Sequence, residues 1–514
     1  MHVFEIVIVL LLIGAALAAW ARRIGAPYPA LLALAGAALA LMPGVPAVTL
    51  DPELALALFV APVLLDAAFD ASPRDLREHW RPVASLALVT VALTVAAVAV
   101  TVRWLVPGMP WPAAIALGAI VAPPDAAAAT AVLRQLRPPH RLLVILEGES
   151  LFNDASALLI YRLAVGAAAA GAISGWGIVP MLLGVTIGSI ALGLILARTS
   201  LWVTARIQDV ATAVIVQFIG TFGVWIVAER LHLSGILTMV VYAMSVARTA
   251  PDILPARIRI PSYAVWEVAV FVLNVLAFIL VGLQLKPIVR ELGREELLRY
   301  TGIAAVVCAA VIVVRIVWVM GANAVRGPRT PAARRHAVVV AWCGMRGTVT
   351  LAAALALPAS FPRRDLILFA SFLVVLGTLV LQGLTLKPLM ARLGIEHDDA
   401  VDREVRLARA ETVRAGAAAL AGNDLRFEAA DLLRRKYQVR LEQAEAWMGG
   451  GTSGGPSTNG QTEYATAARA AMAAERRRLS ALRADGTIGD DAFHKVEEEL
   501  DRAELSAEAM HPED

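Results

Sequence analysis

Hydrophobic residues in this sequence occur in long, nearly uninterrupted runs separated by short polar segments. A helix of about 20 apolar residues can cross a hydrocarbon layer roughly 30 Å thick. Thirteen such runs are present, near residues 3–20, 28–42, 53–70, 82–105, 112–133, 142–165, 177–197, 209–229, 233–248, 263–285, 297–322, 336–357 and 365–390. The second and ninth runs are short, so twelve crossings is the alternative count. The pattern predicts an all-α polytopic membrane protein.

The composition supports the same class. The chain has 514 residues, of which 58% are hydrophobic and 17% are charged, whereas an ordinary globular protein carries about a quarter charged residues. The net charge of +3 is too small to indicate a nucleic-acid partner. The two cysteines, Cys308 and Cys343, lie in apolar runs, which excludes a disulfide framework or a cysteine-rich metal site. The first run lacks a basic leading segment, so we expect a retained crossing rather than a cleaved signal peptide.

Basic residues between the runs predict the orientation of the chain. One alternate set of connections carries 19 Lys and Arg residues, including Arg74, Arg77 and Arg81, and the opposite set carries eight. Cytoplasmic connections are enriched in Lys and Arg. The bias therefore places the richer set and the C-terminal tail in the cytoplasm and the N-terminus outside, which is consistent with thirteen crossings.

Two of the runs contain residues that interrupt a helix. The fifth contains Pro123-Pro124-Asp125 and the twelfth contains Gly344-Met-Arg-Gly347. Each is the fifth helix of a six-helix half, if the seventh run joins the two halves. Matched interruptions in two halves indicate the binding site of an inverted-repeat transporter. We therefore expect about 13 transmembrane helices, arranged as two inverted six-helix repeats with crossed broken helices, and a carrier rather than a channel.

The character of the sequence changes after Arg392. We predict a transmembrane domain at 1–392 and a cytoplasmic helical tail at 393–514, with helical patterns near 400–421, 424–447, 462–484 and 488–510. Residues 449–460 are rich in Gly, Ser and Thr, a composition typical of a flexible linker.

The most polar stretch inside an apolar run is Glu147-Gly-Glu-Ser-Leu-Phe-Asn-Asp154. A charge at the middle of a membrane costs about 3 kcal/mol, so a function is expected for it. On a helix, Ser150 and Asp154 share one face, and Glu149 and Asn153 share another that is rotated by about 100°. The spacing predicts a cation-binding surface and a separate structural surface. The alternative is a polar turn at a helix end.

The ionisable residues within the apolar runs are few, and most are acids: Asp66, Asp125, Glu147, Glu149, Asp154, Glu267, Arg315 and Arg346. Carboxylate oxygens are the ligands of hard cations, and no His or Cys cluster favours a transition metal. A carboxylate in a poorly hydrated pocket retains its proton more readily, so that protons compete with metal ions for it. A single group that binds either a proton or a cation gives obligatory exchange.

Three segments resemble the motifs of the cation/proton antiporter 1 family, in particular the bacterial NhaP-like sodium/proton exchangers. They are Pro123-Pro-Asp-Ala126, Glu147-Gly-Glu-Ser-Leu-Phe-Asn-Asp-Ala155 and Trp342-Cys-Gly-Met-Arg-Gly347. The likeness extends over 59–66, 266–267 and 282–284, and in the tail 489–501 resembles the C-terminal signature of the bacterial members. The resemblance implies an inner-membrane carrier of a bacterium that exchanges Na⁺, or alternatively K⁺ or Li⁺, for protons by elevator-like alternating access.

The resemblance also implies roles for individual residues. Asp154 would bind the proton and the ion, and Ser150 would add an oxygen. Asp125 would approach the ion through water, and the backbone at Pro124 would add a carbonyl oxygen. Asp66 stands where many relatives have Glu, so both direct binding and an entrance role are open.

Other residues would have structural or coupling roles by the same resemblance. Asn153, in place of a second Asp, is the family's mark of electroneutral one-for-one exchange. Glu149 and Arg346 would form a buried ion pair. For Arg315 the sequence leaves open whether it reaches toward the interface or neutralises a buried acid. Glu267 either pairs within its bundle or takes part in transport.

No cofactor is expected, and the partners are monovalent cations, protons, the lipid bilayer and a second copy of the chain. In the family, crossings 1–3 and 7–10 form the dimer scaffold, and crossings 4–6 and 11–13 move. The rival functions are a potassium/proton exchanger and a cation channel gated by the tail. An enzyme is least favoured, because the sequence shows no nucleophile–base pair.

Overall fold

The computed structural model describes residues 2–24, 26–43, 54, 56–133, 138–170, 175–254, 256–290, 292–326 and 330–395, together with 414, 438, 441 and 442. The chain divides into two compact units, Met1–Asp398 and Asp399–Asp514. Apart from those four positions, the predicted tail helices lie outside the described residues, as does the predicted linker at 449–460. The assignment of the tail therefore stays a prediction.

The described part of the first unit is helical and contains no β-strand. Its α-helices are α1 His2–Ile24, α2 Tyr28–Leu41, α3 Ala61–Asp70, α4 Pro73–Glu78, α5 Trp80–Ala84, α6 Val91–Leu105, α7 Trp111–Val121, α8 Ala126–Leu133, α9 His140–Ala170, α10 Gly175–Thr204, α11 Val210–Arg230, α12 Gly235–Ile253, α13 Ala256–Leu283, α14 Leu285–Arg290, α15 Arg294–Arg326, α16 Pro331–Trp342, α17 Thr348–Leu355 and α18 Arg364–Leu393. Two π-helical turns, Leu56–Val60 and Ser85–Thr90, lead into α3 and α6. The all-α polytopic prediction is confirmed.

As far as the structure describes them, the thirteen apolar runs each coincide with one helix, with consecutive helices or, in the fifth and twelfth runs, with two helices separated by an unwound segment. Within the described residues, seven helices are long and apolar enough to cross a membrane, and three more apolar helices are shorter. The two short runs both form helices, since α2 has 14 residues and α12 has 19. The broken fifth and twelfth runs account for further short helices.

Both predicted interruptions are present. The α7–α8 pair is unwound at 122–125, and the α16–α17 pair is unwound at 343–347. The two unwound segments meet, because the backbone N–H of Asp125 donates to the carbonyl of Met345 at 2.7 Å. Proline has no N–H to continue the helix, and an unwound segment inside a membrane protein is tolerated where protein or a cavity covers it.

Helices α2 and α13 approach each other unusually closely at two glycines. A Cβ on Gly36 would lie 2.2 Å from the carbonyl oxygen of Ile279, and one on Gly282 would lie 2.2 Å from that of Ala33. Small residues allow such backbone contact, which is a main source of helix association in membranes. This contact fixes α13, whose Asn274 lines the site described below.

Gly36→Ala is expected to destabilise the fold, because its methyl group must push α2 away from α13. Overpacking of this kind costs about 1–3 kcal/mol. Thermal unfolding of the detergent-solubilised protein measures the effect as a lower midpoint. The matched control is Gly184→Ala in α10, where a Cβ would have no neighbour within 4 Å. Equal midpoints for the two variants would contradict the prediction.

Candidate cation-binding site

The residues predicted as ion ligands meet at one cavity of about 220 Å³ beside the crossing of the broken helices. Its lining includes Asp66, Pro124, Asp125, Ser150 and Asp154. These residues come from α3, the α7–α8 break and α9, which are far apart in sequence. The cavity therefore brings carboxylate and hydroxyl oxygens together at the unwound segments, while their roles as ion ligands stay a prediction.

Helix α9 presents one face to this cavity. Glu147, Ser150 and Asp154 all line it, as expected for residues spaced three or four apart on a helix. Asp154 is only 4% exposed. Because α9 is continuous through the whole segment, the alternative of a polar turn at a helix end is wrong.

Glu149 and Asn153 lie on α9 outside the cavity lining. Asn153 is fully buried, and its amide oxygen and nitrogen form no hydrogen bond with the residues that the structure describes. The separation of the two faces follows the spacing in the sequence. The coupling role of Asn153 stays a prediction.

Asp125 caps the half-helix α8. Its Oδ1 accepts hydrogen bonds from the backbone N–H groups of Ala127 at 2.9 Å and Ala128 at 3.4 Å. A carboxylate at a helix N-terminus satisfies free N–H groups and interacts favourably with the helix dipole. These bonds hold one oxygen, and the carboxylate also packs closely against Gly347 before α17. Asp125 is thus oriented by both broken helices.

Arg346 binds the free carbonyl groups at the carboxyl ends of the half-helices, whereas Asp125 binds free N–H groups at an amino end. Its guanidinium donates to the carbonyls of Val121 at 2.9 Å and Ala122 at 3.2 Å at the end of α7, and to the carbonyl of Gly344 after α16. Its backbone N–H donates to Oγ1 of Thr378 at 3.0 Å. A cation at a helix C-terminus satisfies free carbonyls and opposes the negative end of the dipole. Arg346 therefore stabilises both breaks.

The predicted ion pair between Glu149 and Arg346 is wrong, because Glu149 pairs with Arg315 of α15. Nη2 of Arg315 donates to Oε2 of Glu149 at 2.7 Å, and Nη1 donates to Oε1. Both side chains are 1% exposed. Arg315 also donates to the carbonyl of Val340 in α16 at 3.0 and 3.2 Å. Arg315 thus neutralises a buried acid rather than reaching toward the interface, and the donors of Arg346 are taken by backbone carbonyls.

Removal of either partner of this pair is expected to destabilise the protein strongly. Arg315→Gln leaves the Glu149 carboxylate buried without its cation, at a cost of about 3–5 kcal/mol. Thermal unfolding should show much of this loss restored in the double variant Glu149→Gln/Arg315→Gln. The control is Glu149→Gln/Arg346→Gln, in which the losses are expected to add. Coupling to Arg346 instead of Arg315 would disagree with the observed geometry.

The cavity is also lined by polar residues that were not predicted from the sequence: Tyr28, Asp70, Thr130, Asn274, Thr348 and Thr350. For two of them, the position in the sequence could have indicated a place at the site. Asp70 lies four residues after Asp66 and therefore on the same face of α3, and Asn274 is an isolated amide in the apolar run 263–285. In contrast, Glu267 is exposed and lies outside the lining.

The oxygen atoms of the cavity are spread along its wall. Within the described ranges, no group of three or more His, Cys, Asp or Glu side chains is close enough to hold a metal ion. The arrangement offers carboxylate, hydroxyl and backbone oxygens to a cation.

The first residue of α9 is tied to the connection that contains α4. Nε2 of His140 lies 3.0 Å from Oδ2 of Asp75, and the backbone N–H of Asp75 donates to Oγ of Ser72 at 3.3 Å. Partial burial raises the pKa of Asp75, but hydrogen bonds from His140 and Ser72 and the attraction of Arg74 outweigh it, so the net pKa is lowered. The ionised carboxylate is therefore the form that holds the start of α9 in place.

Comparison with known proteins identifies relatives of the whole membrane unit. A family model described as sodium/hydrogen exchanger, transmembrane, matches residues 8–392. An uncharacterised Na⁺/H⁺ exchanger of Mycobacterium tuberculosis (strain ATCC 25618 / H37Rv) is 31% identical over 437 residues, which cover 81% of this chain and 80% of the relative. The sodium, potassium, lithium and rubidium/H⁺ antiporter of Bacillus pumilus is 28% identical over 461 residues, covering 82% of this chain and 68% of that protein.

A solved structure shares the fold. The sodium proton antiporter MjNhaP1 from Methanocaldococcus jannaschii superposes with a TM-score of 0.64 at 18% identity, covering 77% of this chain and 99% of that chain. The family model spans nearly all of the described membrane unit, including both broken helices and the acidic segment of α9. This chain therefore belongs to the sodium/hydrogen exchanger family.

Proposed function

We propose that this protein exchanges one monovalent cation for one proton, with Na⁺ as the principal cation and K⁺ or Li⁺ as alternatives. The observation that carries the proposal is the position of Asp154, which is almost completely buried at a cavity beside the crossing of two broken helices. An acid inside a membrane protein costs free energy, and broken helices of this kind form the binding sites of carriers. Ion binding is therefore the function that best explains Asp154.

In the proposed cycle, Asp154 binds either a proton or the cation. Loss of the proton leaves a carboxylate that attracts the cation, and Ser150, Asp66 and the backbone at Pro124 supply further oxygens. Asp125, held by α8, acts on the ion through water. Because Asp154 is occupied by one charge in either loaded form, both forms of the site carry the same net charge and the cycle is electroneutral.

The movement that we propose is a displacement of one bundle against the other. The lining comes from α8, α9 and α17, which belong to the crossings that move in the family, and from α2, α3 and α13, which belong to the scaffold crossings. A site between two such bundles can open alternately to either side when one of them moves. The scaffold would form the homodimer, with the N-terminus outside and the tail in the cytoplasm of a bacterial cell.

A broader cation specificity is the second candidate function. Its support is the relative from Bacillus pumilus, which is named as an antiporter of sodium, potassium, lithium and rubidium. Carboxylate and hydroxyl oxygens on flexible side chains accept several monovalent ions, so such a site does not require one ion radius. A potassium/proton exchanger would use the same residues.

The experiment is proton transport in proteoliposomes with Na⁺, Li⁺ or K⁺, at zero membrane potential and with a thiocyanate diffusion potential. We expect exchange with Na⁺ and no effect of the potential on the final ion gradient. One net charge per cycle would shift that gradient by about 2.3 kcal/mol at 100 mV, which is roughly 50-fold. Such a shift would contradict electroneutral exchange, and ion currents far above carrier rates would favour the channel.

A further inference from the structure

A second cavity, much larger than the cation site, lies on another side of α9. Its volume is about 1690 Å³, and none of the predicted ion ligands lines it. Phe152 and Leu159 of α9, Met181 of α10 and Trp225 of α11 all belong to its lining. The cavity is therefore shared by the helix that carries Asp154 and by part of the predicted scaffold.

This cavity is open at its surface, since its lining residues Met181 and Leu88 are 62% and 58% exposed. It is also too apolar to hold only water. Water is stable in a cavity only where polar groups can bind it, and most of the lining is aliphatic or aromatic. Because these helices cross the bilayer, acyl chains are the apolar material available to fill the space.

The lining residues lie at two levels along α9, because Leu76 packs near Gly148, whereas Glu229 bonds to Arg162, about 21 Å further along the helix at 1.5 Å per residue. These two ends of the cavity differ in charge. At one end Arg162 donates to both carboxylate oxygens of Glu229, at 2.8 and 2.9 Å, so this arginine is neutralised and a carboxylate faces the cavity beside Arg230. At the other end are Arg77 and Trp80. Glu229 is the one acidic residue among the described residues of the lining, so no carboxylate lines the Arg77 end, and the acids of α4, Asp75 and Glu78, lie outside the lining.

The Arg77 end also has the character of a membrane interface. Trp80 is 58% exposed, and the Arg81 guanidinium lies 5.7 Å from the centre of its ring. Tryptophan is enriched at the level of lipid headgroups, and Arg forms strong charge-assisted hydrogen bonds with phosphate. Arg77 belongs to a basic connection predicted to be cytoplasmic, where the leaflet carries anionic lipid.

We propose that this cavity is a binding site for an anionic phospholipid, whose acyl chains lie among the apolar side chains and whose phosphate binds Arg77. A fluid chain in this space fills the gap that α9 leaves beside α10 and α11 away from their direct contacts, such as the pair of Arg162 and Glu229. The lipid site does not depend on which ions the protein exchanges.

The test is native mass spectrometry of the full chain in mild detergent, titrated with phosphatidylglycerol or phosphatidylcholine. Arg77→Gln should weaken phosphatidylglycerol binding about fivefold, the equivalent of about 1 kcal/mol for one basic residue, and leave phosphatidylcholine unchanged. Gly166→Phe, which fills the cavity from α9, should weaken both lipids. The matched control is Arg230→Gln at the opposite end, which should retain wild-type binding of both.

Three results would overturn the proposal. Equal binding of the two lipids by the wild type and all variants would indicate non-specific lipid around the protein. Loss of phosphatidylglycerol binding in Arg230→Gln but not in Arg77→Gln would place the phosphate at the other end. Unchanged binding in Gly166→Phe would exclude acyl chains from the cavity. Thermal unfolding of each variant checks that a weaker affinity does not come from an altered fold.

Discussion

Asp154→Asn is expected to reduce cation-evoked proton transport to the background of empty proteoliposomes. The amide has nearly the same shape as the carboxylate but cannot release a proton or carry the charge that attracts the cation. Because Asp154 is 4% exposed and an unpartnered buried charge is costly, the variant should also unfold at the same or a higher temperature than the wild type. Loss of transport together with retained stability distinguishes a functional role from a structural one.

The control for this variant is Asp365→Asn, which makes the same chemical change at an exposed acid in the first turn of α18. It removes a favourable interaction with the helix N-terminus worth at most about 1 kcal/mol and should retain transport. Exchange at the wild-type rate by Asp154→Asn would show that another group binds the proton, and the proposed cycle would have to be abandoned.

Gly347→Ala is expected to have the second largest effect, because a Cβ at this position would collide with the Asp125 carboxylate. It would lie 1.5 Å from Oδ2 and 2.4 Å from Cγ of Asp125. Asp125 cannot simply move away, since its backbone N–H is bonded to Met345 and its Oδ1 to the start of α8. Misplacement of a reacting group by about 1 Å can lower a rate roughly 100-fold. We expect a loss of this size in the exchange rate, with some loss of stability.

Gly321→Ala provides the matched control in α15, where a Cβ would meet no atom within 4 Å. Alanine is favoured over glycine in a helix by about 1 kcal/mol, so this variant should transport normally and be at least as stable. If Gly347→Ala also transported normally, the position of Asp125 would be unimportant for exchange, and its proposed role would be wrong.

The partner of Glu149 could not be predicted from the sequence. Arg315 and Arg346 were both buried arginines that could have neutralised it. Which arginine pairs with Glu149 depends on the rotation and tilt of α15 and α16 relative to α9. It also depends on the free carbonyl groups of the broken helices, which accept hydrogen bonds from Arg346. Arg315 is therefore the arginine that pairs with Glu149. Neither condition is visible in the spacing of residues along the chain.

The sequence by itself determined the features that depend on neighbours along the chain. Apolar runs specified the helices, Pro123 and Pro124 specified a break, and the three- and four-residue spacing in α9 separated Ser150 and Asp154 from Glu149 and Asn153. The tertiary structure alone decided which distant groups meet: the partner of Glu149, the contact of Gly36 with α13, the place of Asn274 at the cation cavity, and the large apolar space beside α9. Periodicity and helix breaking act locally, whereas these contacts depend on how whole helices pack against one another.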